Sequence, residues 1–310
     1  MKLGIKIAPD NSWKSNIEAT RPQMVEIWYN AGRPDDYNEI FAYLKGKPID
    51  VGLHYWGALP NNILTNITYP DASVNKPSLG LMHAAIDKAA AHNCSYINVH
   101  PDVYSLLHVD FTTMTIRVAS ETADYKTFMA AFIQNFLALS AYARSRGVLL
   151  TVETLPMRDT PSWRPDRDRT RVIDIHEVPV DVLIDLSRQG VAIANDLGHT
   201  ACNMISPDRT AVWEFLKAAT RTLAPQTRLI HMGFLAPPYN GVDFHNSLAN
   251  PVFQTRDAVP NKSEMVELLK KNFRSRDDMW ILVEPSRDHV KNYFLARELL
   301  EKAGVLTKHQ

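Results

Sequence analysis

The sequence predicts a (β/α)8 barrel that occupies residues 1–310 as a single domain. Short runs rich in β-branched and aliphatic residues alternate with longer helical patterns along the chain, which is typical of parallel βα units. Eight such runs in 310 residues fit a barrel, which usually takes about 250 residues plus insertions. A doubly wound open sheet is the alternative. However, no Gly-x-Gly-x-x-Gly pattern follows the first run, so nothing local supports a dinucleotide fold or a nucleotide cofactor.

The predicted elements follow the chain in order. The strands are the apolar runs at residues 3–8, 24–29, 49–54, 96–100, 148–153, 191–196, 228–231 and 280–284. Connecting helices are predicted near residues 35–45, 78–91, 125–146 and 288–302. No low-complexity segment and no break in composition marks a linker, which favours one domain. An arginine-rich insertion at about residues 157–172 follows the fifth strand.

Charge balance and cysteine content exclude several classes of protein. Lys and Arg total 34 and Asp and Glu total 34, so a strongly basic nucleic-acid coat is excluded, although a local basic patch is not. Two cysteines, Cys94 and Cys202, cannot form a disulfide framework and indicate a reducing compartment. No run approaches the roughly 20 apolar residues of a membrane span, and the N-terminal run is too short for a signal peptide. We therefore expect a cytoplasmic protein without a membrane partner.

Polar side chains stand at the ends of six consecutive predicted strands. Chemistry in (β/α)8 barrels occurs where strands end at their carboxyl side, so a closed barrel would direct all of these side chains into one pocket. Strands three to eight end, in order, at His54, His100, Glu153, Asp196, His231 and Glu284. Three more candidates, His199, Asp243 and His245, lie in the loops just beyond.

The chemistry of these nine residues favours a metal site. Taken singly, each has an ordinary explanation, because a strand-end histidine is often hydrogen-bonded and a strand-end carboxylate often caps the next helix. Six consecutive strand ends rarely share this chemistry by accident. Imidazole nitrogens and carboxylate oxygens without thiolates suit Zn²⁺ or Mn²⁺ in a catalytic site. We expect zinc or manganese, and these residue types by themselves leave the number of ions open.

The arginine-rich insertion is the predicted substrate-binding segment. Residues 158–171 hold five arginines and one tryptophan, residue types suited to phosphate contact and base stacking. The alternative is a solvated lid in which its three aspartates pair with the arginines. Candidate substrate contacts are Trp163, Arg164 and Arg167 in the insertion and Tyr55, Trp56 and Tyr239 in other loops at the same end of the barrel.

The nine candidate ligands resemble those of the xylose-isomerase-like TIM-barrel superfamily, and within it the endonuclease IV (AP endonuclease family 2) branch. The shared pattern covers nearly the whole chain and includes His100-Pro101, Asp196-x-x-His199 and Asp243-x-His245. The resemblance implies three zinc ions. Their ligands would be His54, His100 and Glu153 for the first, Glu153, Asp196, His231 and Glu284 for the second, and His199, Asp243 and His245 for the third.

Other stretches depart from the endonuclease IV pattern. Pro9-Asp10-Asn11-Ser12 replaces a glycine-rich stretch after strand one, and Thr154-Leu155-Pro156 replaces Asn-Thr-Ala-Gly after strand five. Phe244 stands where that family has arginine, and Met232-Gly233-Phe234 replaces Asn-Asp-Ser. The sequence therefore resembles the family in its metal ligands and differs in the loops that contact DNA.

Two enzymatic functions follow from the resemblance. The first is a phosphodiesterase that acts on DNA with an abasic or damaged site, with Glu153 bridging two ions and Glu284 orienting the attacking water. The alternative is a sugar or sugar-phosphate isomerase or epimerase with one divalent ion, in which Glu153 and Glu284 act as the acid–base pair. A non-enzymatic binding module is disfavoured, because burying so many ionisable groups is costly without compensating ions.

Overall fold

The structure, a computed structural model, describes residues 1–164, 168 and 170–306. Eight parallel strands within this part of the chain close into a barrel in sequential order, which confirms the predicted (β/α)8 fold. The strands are β1 (Lys2–Ile7), β2 (Met24–Asn30), β3 (Asp50–Trp56), β4 (Tyr96–Val99), β5 (Leu149–Glu153), β6 (Ala192–Asp196), β7 (Thr227–His231) and β8 (Trp280–Leu282). Strands β4 and β8 end slightly before the predicted positions, so His100 and Glu284 follow the last strand residue instead of occupying it.

Helices connect the strands and cover the outside of the barrel. They are α1 (Trp13–Thr20), α2 (Asn38–Leu44), α3 (Ala72–Ala91), α4 (Tyr125–Ser145), α5 (Val180–Arg188), α6 (Leu197–Cys202), α7 (Arg209–Leu223), α8 (Lys262–Phe273) and α9 (His289–Ala303). Helix α3 begins before the predicted residue 78 and runs through Pro77. The carboxylate of Asp71 accepts a hydrogen bond from the backbone N–H of Ser73 and caps this earlier start. Among the described residues, no helix combines the length and apolarity needed to cross a bilayer.

Strand alternation divides the side chains between two apolar regions. The larger core lies between the strands and the helices, and a separate small cluster of Met24, Tyr96, Ala194, Leu229 and Leu282 fills the barrel interior. A Cβ atom on Gly52 would lie 2.1 Å from Cζ of Tyr96, so this strand position must lack a side chain for the tyrosine ring to fit. Because alternate residues of a strand share a face, the polar residues two positions further along these strands also point inward.

Two short hairpins stand at the end of the barrel where the strands terminate, here called the mouth. The first hairpin pairs Leu107–Asp110 with Thr115–Val118, and the second pairs Arg158–Asp159 with Ile173–Asp174 inside the predicted insertion. A bridge between Thr115 and Ser162 joins them. The hairpins were not predicted from the sequence, and together they form one wall of the mouth.

Candidate metal centre

The predicted ligands converge at the mouth and differ in accessibility. Most of them are buried, among them His54, Glu153 and His231, each no more than 1% exposed. Three remain more accessible, because the side chains of Glu284, His100 and His245 are 17%, 22% and 40% exposed. A small molecule or an exposed group of a larger one would therefore meet these three side chains first.

The first ligand group consists of His54, His100 and Glu153. Nε2 of His54 and Nε2 of His100 are 2.8 Å apart. Oε2 of Glu153 lies 3.4 Å from the former nitrogen and 3.8 Å from the latter. Three potential ligand atoms thus surround one point, as the resemblance implied for a first ion.

The second group consists of Glu153, Asp196 and His231. Nδ1 of His231 lies 3.2 Å from Oε1 of Glu153 and 3.9 Å from Oδ2 of Asp196. Oε2 of Glu284 is 3.1 Å from the same nitrogen. Glu153 therefore turns one oxygen toward each of the first two groups, which is the arrangement of a bridging carboxylate.

The third group consists of His199, Asp243 and His245. Asp196, the last residue of β6, caps α6 by accepting a hydrogen bond of 2.8 Å from the backbone N–H of His199, so the Asp-x-x-His spacing places both side chains. Nδ1 of His199 lies 2.9 Å from the carbonyl oxygen of Thr154, and Nε2 faces Oδ2 of Asp243 at 3.6 Å. Donation from Nδ1 to Thr154 directs Nε2 toward Asp243, where it could bind an ion after losing its proton.

A fourth group was not anticipated from the sequence. It consists of Glu26, His54, His231 and Glu284 and lies deeper in the barrel. The Lys6 ammonium contacts the Glu284 carboxylate and Nδ1 of His54, and it lies 3.2 Å from Oε1 of Glu26. Lys6 and Glu26 were not predicted as site residues, because neither stands at the end of a strand. The sequence feature that could have identified Lys6 and Glu26 is a charged residue at an inward-facing position of a largely apolar strand.

Glu26 supports both inward histidines from below. Its Oε2 accepts a hydrogen bond of 2.9 Å from the Tyr96 hydroxyl and lies 3.3 Å from Nε2 of His231. Its Oε1 lies 3.4 Å from Nδ1 of His54. In each imidazole, the nitrogen away from the mouth faces this carboxylate, and the other nitrogen faces the first or second group. Carboxylates in this position orient ligating histidines and fix their tautomer.

Opposing charges shift the pKa values of the buried groups. Burial alone would raise the pKa of Glu153, but His231 and His54 outweigh it and hold the pKa well below its usual range. For Glu284, Lys6 and His54 outweigh burial in the same direction. Burial lowers the pKa of His100 to about 3. The pKa of His231 is raised well above its ordinary value, because Glu153 and Glu26 outweigh burial. Glu153 and Glu284 are thus ionised and His100 is neutral, as metal ligands must be, whereas His231 must lose a proton before it binds a metal.

The donor set fits divalent ions. Within the described part of the chain, Oε2 of Glu284 is buried and makes no hydrogen bond. Clustered buried carboxylates are costly unless cations compensate them. Oxygen and imidazole nitrogen ligands suit zinc or manganese. The structure therefore presents a site that a divalent metal would complete.

The predicted substrate contacts divide into two sets. Tyr55 and Tyr239 are both buried. The Tyr55 hydroxyl donates to Oγ1 of Thr65 and the Tyr239 hydroxyl to the carbonyl oxygen of Asp257, so both hydroxyls are engaged within the protein. Tyr55 points outward because it neighbours inward-facing His54 on β3. The prediction that Tyr55 and Tyr239 face substrate is therefore corrected.

The other aromatic candidates lie together beside the first group. The ring of Trp56 is 5.0 Å from that of His100 and 5.7 Å from that of Trp163, measured between centroids. Phe111 of the first hairpin completes this aromatic wall, at 6.1 Å from Trp56. Arg164 is exposed and donates to the carbonyl oxygen of Thr113, which links the insertion to the first hairpin. Arg167 lies outside the described residues.

Comparisons with known proteins agree with this architecture. No protein-family model matches the chain, and no curated protein matches it. Among solved structures, it is similar to L-ribulose 3-epimerase, with 11% identity over 100% of this chain and 99% of the other and a TM-score of 0.64. D-psicose 3-epimerase from Clostridium cellulolyticum shares 16% identity over 98% and 96%, with a TM-score of 0.60. Endonuclease IV from Thermus thermophilus shares 14% over 97% and 100%, with a TM-score of 0.56. These neighbours are xylose-isomerase-like TIM barrels, and at such identities the similarity concerns the fold.

Proposed function

We propose that this protein is a metal-dependent hydrolase that cleaves a phosphate ester at a multinuclear centre, with zinc as the preferred metal. The observation that supports this proposal is the placement of Glu153. Its Oε1 and Oε2 face two different ligand groups, with His231 and His54 at 3.2 Å and 3.4 Å. One divalent ion at each group, bridged by this carboxylate, would stabilise charge on the phosphoryl oxygens and make a bound water more acidic.

Three side chains of the protein have distinct proposed roles in the reaction. The Glu284 side chain is 17% exposed, and its Oε2 lies 3.1 Å from Nδ1 of His231. The Glu284 carboxylate is the proposed acceptor for the proton of the attacking water. Lys6 holds the other oxygen of Glu284 and so orients the carboxylate. Asn98 donates to Oε2 of Glu153 and restricts the position of the bridging group.

The substrate side of the site is the aromatic wall and the insertion. Trp56, Trp163 and Phe111 present ring faces and edges beside His100, which suits a base or a sugar ring. Arg164 stands exposed on the same side and suits a phosphate. We propose DNA with an abasic or damaged site as the first substrate to test, and a sugar phosphate as the second.

The test combines metal content with two activity assays. We expect purified protein to contain more than one zinc per chain by elemental analysis and to nick a duplex with one synthetic abasic site, with the undamaged duplex as control. Loss of nicking after chelation and its return with zinc would support the proposal. One ion or fewer per chain together with no cleavage of any phosphoester would refute it.

A second candidate is a sugar or sugar-phosphate isomerase or epimerase. The fold similarity to several sugar epimerases favours it, as does the position of Glu153 and Glu284, whose oxygens lie 3.2 Å and 3.1 Å from the same nitrogen of His231. In this function a single ion at the second group would polarise the substrate carbonyl, and the two glutamates would move a proton at the neighbouring carbon. Solvent deuterium exchange into a panel of ketoses and their phosphates would detect it.

A further inference from the structure

The deep group at the bottom of the centre already contains a cation. Glu26, His54, His231 and Glu284 bring ligand atoms within 4.8 Å of one another, as a divalent ion would require. The Lys6 ammonium contacts three of these four side chains. Lys6 is 5% exposed and Glu26 is fully buried, so water cannot screen their charges. The lysine is therefore placed where an ion bound to this group would otherwise sit.

An ammonium and a divalent ion cannot both occupy this group. They would stand at contact distance inside a barrel of low dielectric, where like charges repel strongly. The ammonium is tethered to β1 and is always present, whereas an ion must come from solution. The lysine also neutralises Glu26 without reaching Nε2 of His54 or Nδ1 of His231, the nitrogens that face the first and second groups.

We propose that Lys6 is the resident cation of the deep group, and that it confines metal ions to the three groups nearer the mouth. This inference rests on the proposed metal centre and does not depend on the reaction that the centre catalyses. It assigns Lys6 and Glu26 a role in selecting how many ions bind. A lysine on the first strand takes the place of a metal ion and holds Glu284 and His54 in position.

The test is a comparison of metal content between variants. Lys6→Ala removes the ammonium and leaves space, so we expect one more divalent ion per chain than in the unmodified protein after saturation with zinc and gel filtration. Lys2→Ala is the matched control. Lys2 is on the same strand and pairs with Asp50 at the opposite end of the barrel, so its removal should leave the count unchanged. An unchanged count in Lys6→Ala would overturn the proposal.

Lys6→Asn provides a second test that does not require Lys6→Ala to fold, because it removes the charge and keeps a shorter polar side chain in place. We expect this variant of the complete protein also to bind one more divalent ion per chain than the unmodified protein, since no ammonium repels the ion. An unchanged count in Lys6→Asn would also overturn the proposal. Failure of the phosphoesterase assays would leave both comparisons of metal content unaffected. The hydrolase proposal and the proposal for Lys6 can therefore be refuted independently.

Discussion

Nε2 of His54 and Nε2 of His100 face each other at 2.8 Å across the mouth of the barrel. Two imidazole nitrogens at this distance need a shared proton or a shared cation, since two lone pairs repel. Burial lowers the pKa of His100 to about 3, so His100 is neutral and its nitrogen can act as a ligand. The pair forms most of the first ligand group, and only the hydrolase proposal uses that group as a metal site.

Replacement of His100 by alanine tests this pair. We expect His100→Ala to lose one metal ion per chain and at least about 100-fold in phosphoesterase activity, because removal of even a supporting residue costs metal sites 10- to 100-fold. Stability should change little, since His100 is 22% exposed. His83→Ala, on helix α3, is the control. An unchanged ion count would contradict the hydrolase proposal, and retained isomerase activity would favour the second candidate.

The third group is tested at its most exposed member. His245 has a backbone φ of 46°, a conformation in which alanine would be strained, so glycine is the better replacement. We expect His245→Gly to bind one ion fewer per chain, with the first two groups still loaded. Asn62→Gly, another residue with positive φ in a mouth loop, controls for backbone flexibility. Equal metal content in the two variants would exclude an ion at the third group.

Metal affinity should rise with pH. Burial opposes protonation of His199 and His231, but neighbouring carboxylates outweigh it and raise both pKa values well above the ordinary range. Both imidazoles therefore carry protons that must leave before a metal binds. We expect the zinc dissociation constant to fall between pH 6 and pH 8, by up to about tenfold per pH unit for each proton released. Calorimetry in two buffers of different ionisation enthalpy would count these protons, and a pH-independent constant would contradict the prediction.

Asp102 should make the protein less stable at high pH. Burial raises its pKa to about 7, although its Oδ2 accepts a hydrogen bond from the backbone N–H of Ile67. Because the folded-state pKa is raised, the protonated carboxyl contributes stability that is complete below its unfolded pKa and is lost as pH rises through about 7.

Asp102→Asn, which cannot ionise, should therefore exceed the unmodified protein in unfolding free energy at pH 8.5, by on the order of 1–3 kcal/mol. Urea unfolding at pH 5 and pH 8.5 measures this difference. Asp110→Asn, at an exposed turn, is the control and should show no gain at high pH. A pH-independent effect of Asp102→Asn would show that its carboxyl does not titrate as described.

The aromatic wall should control substrate binding and leave metal content unchanged. Trp163 packs against Trp56, and its Nε1 donates to Oδ2 of Asp159 at 2.6 Å. Removal of a stacking ring typically costs about 1–3 kcal/mol of binding, so we expect Trp163→Ala to raise KM by about tenfold or more with the ion count intact. Trp163→Phe keeps a ring and loses the donor, which separates stacking from support of Asp159. Equal KM values in all three proteins would exclude a role for the wall.

Much of the barrel and the identity of the candidate ligands could be predicted from local patterns. The two-residue alternation along a strand predicts which side chains point into the barrel. The apolar runs placed the ends of strands β3 to β7 within about two residues of their observed positions. Lys6 and Glu26 follow the same period, yet neither stands at a strand end, and only their convergence with His54 and Glu284 shows their importance. The prediction that Tyr55 contacts substrate was wrong, because a position near the end of strand β3 does not determine whether the side chain points into the barrel or outward.

The sequence by itself determined which residues could bind metal and that they would meet at one end of a barrel. The tertiary structure decided how they are grouped, because grouping depends on strand stagger and on barrel closure, which bring β1 beside β8 and place Lys6 against Glu284. These are contacts between residues hundreds of positions apart. No local sequence period encodes such long-range contacts. Only the tertiary structure shows that Glu153 faces two ligand groups and that Lys6 occupies the fourth group.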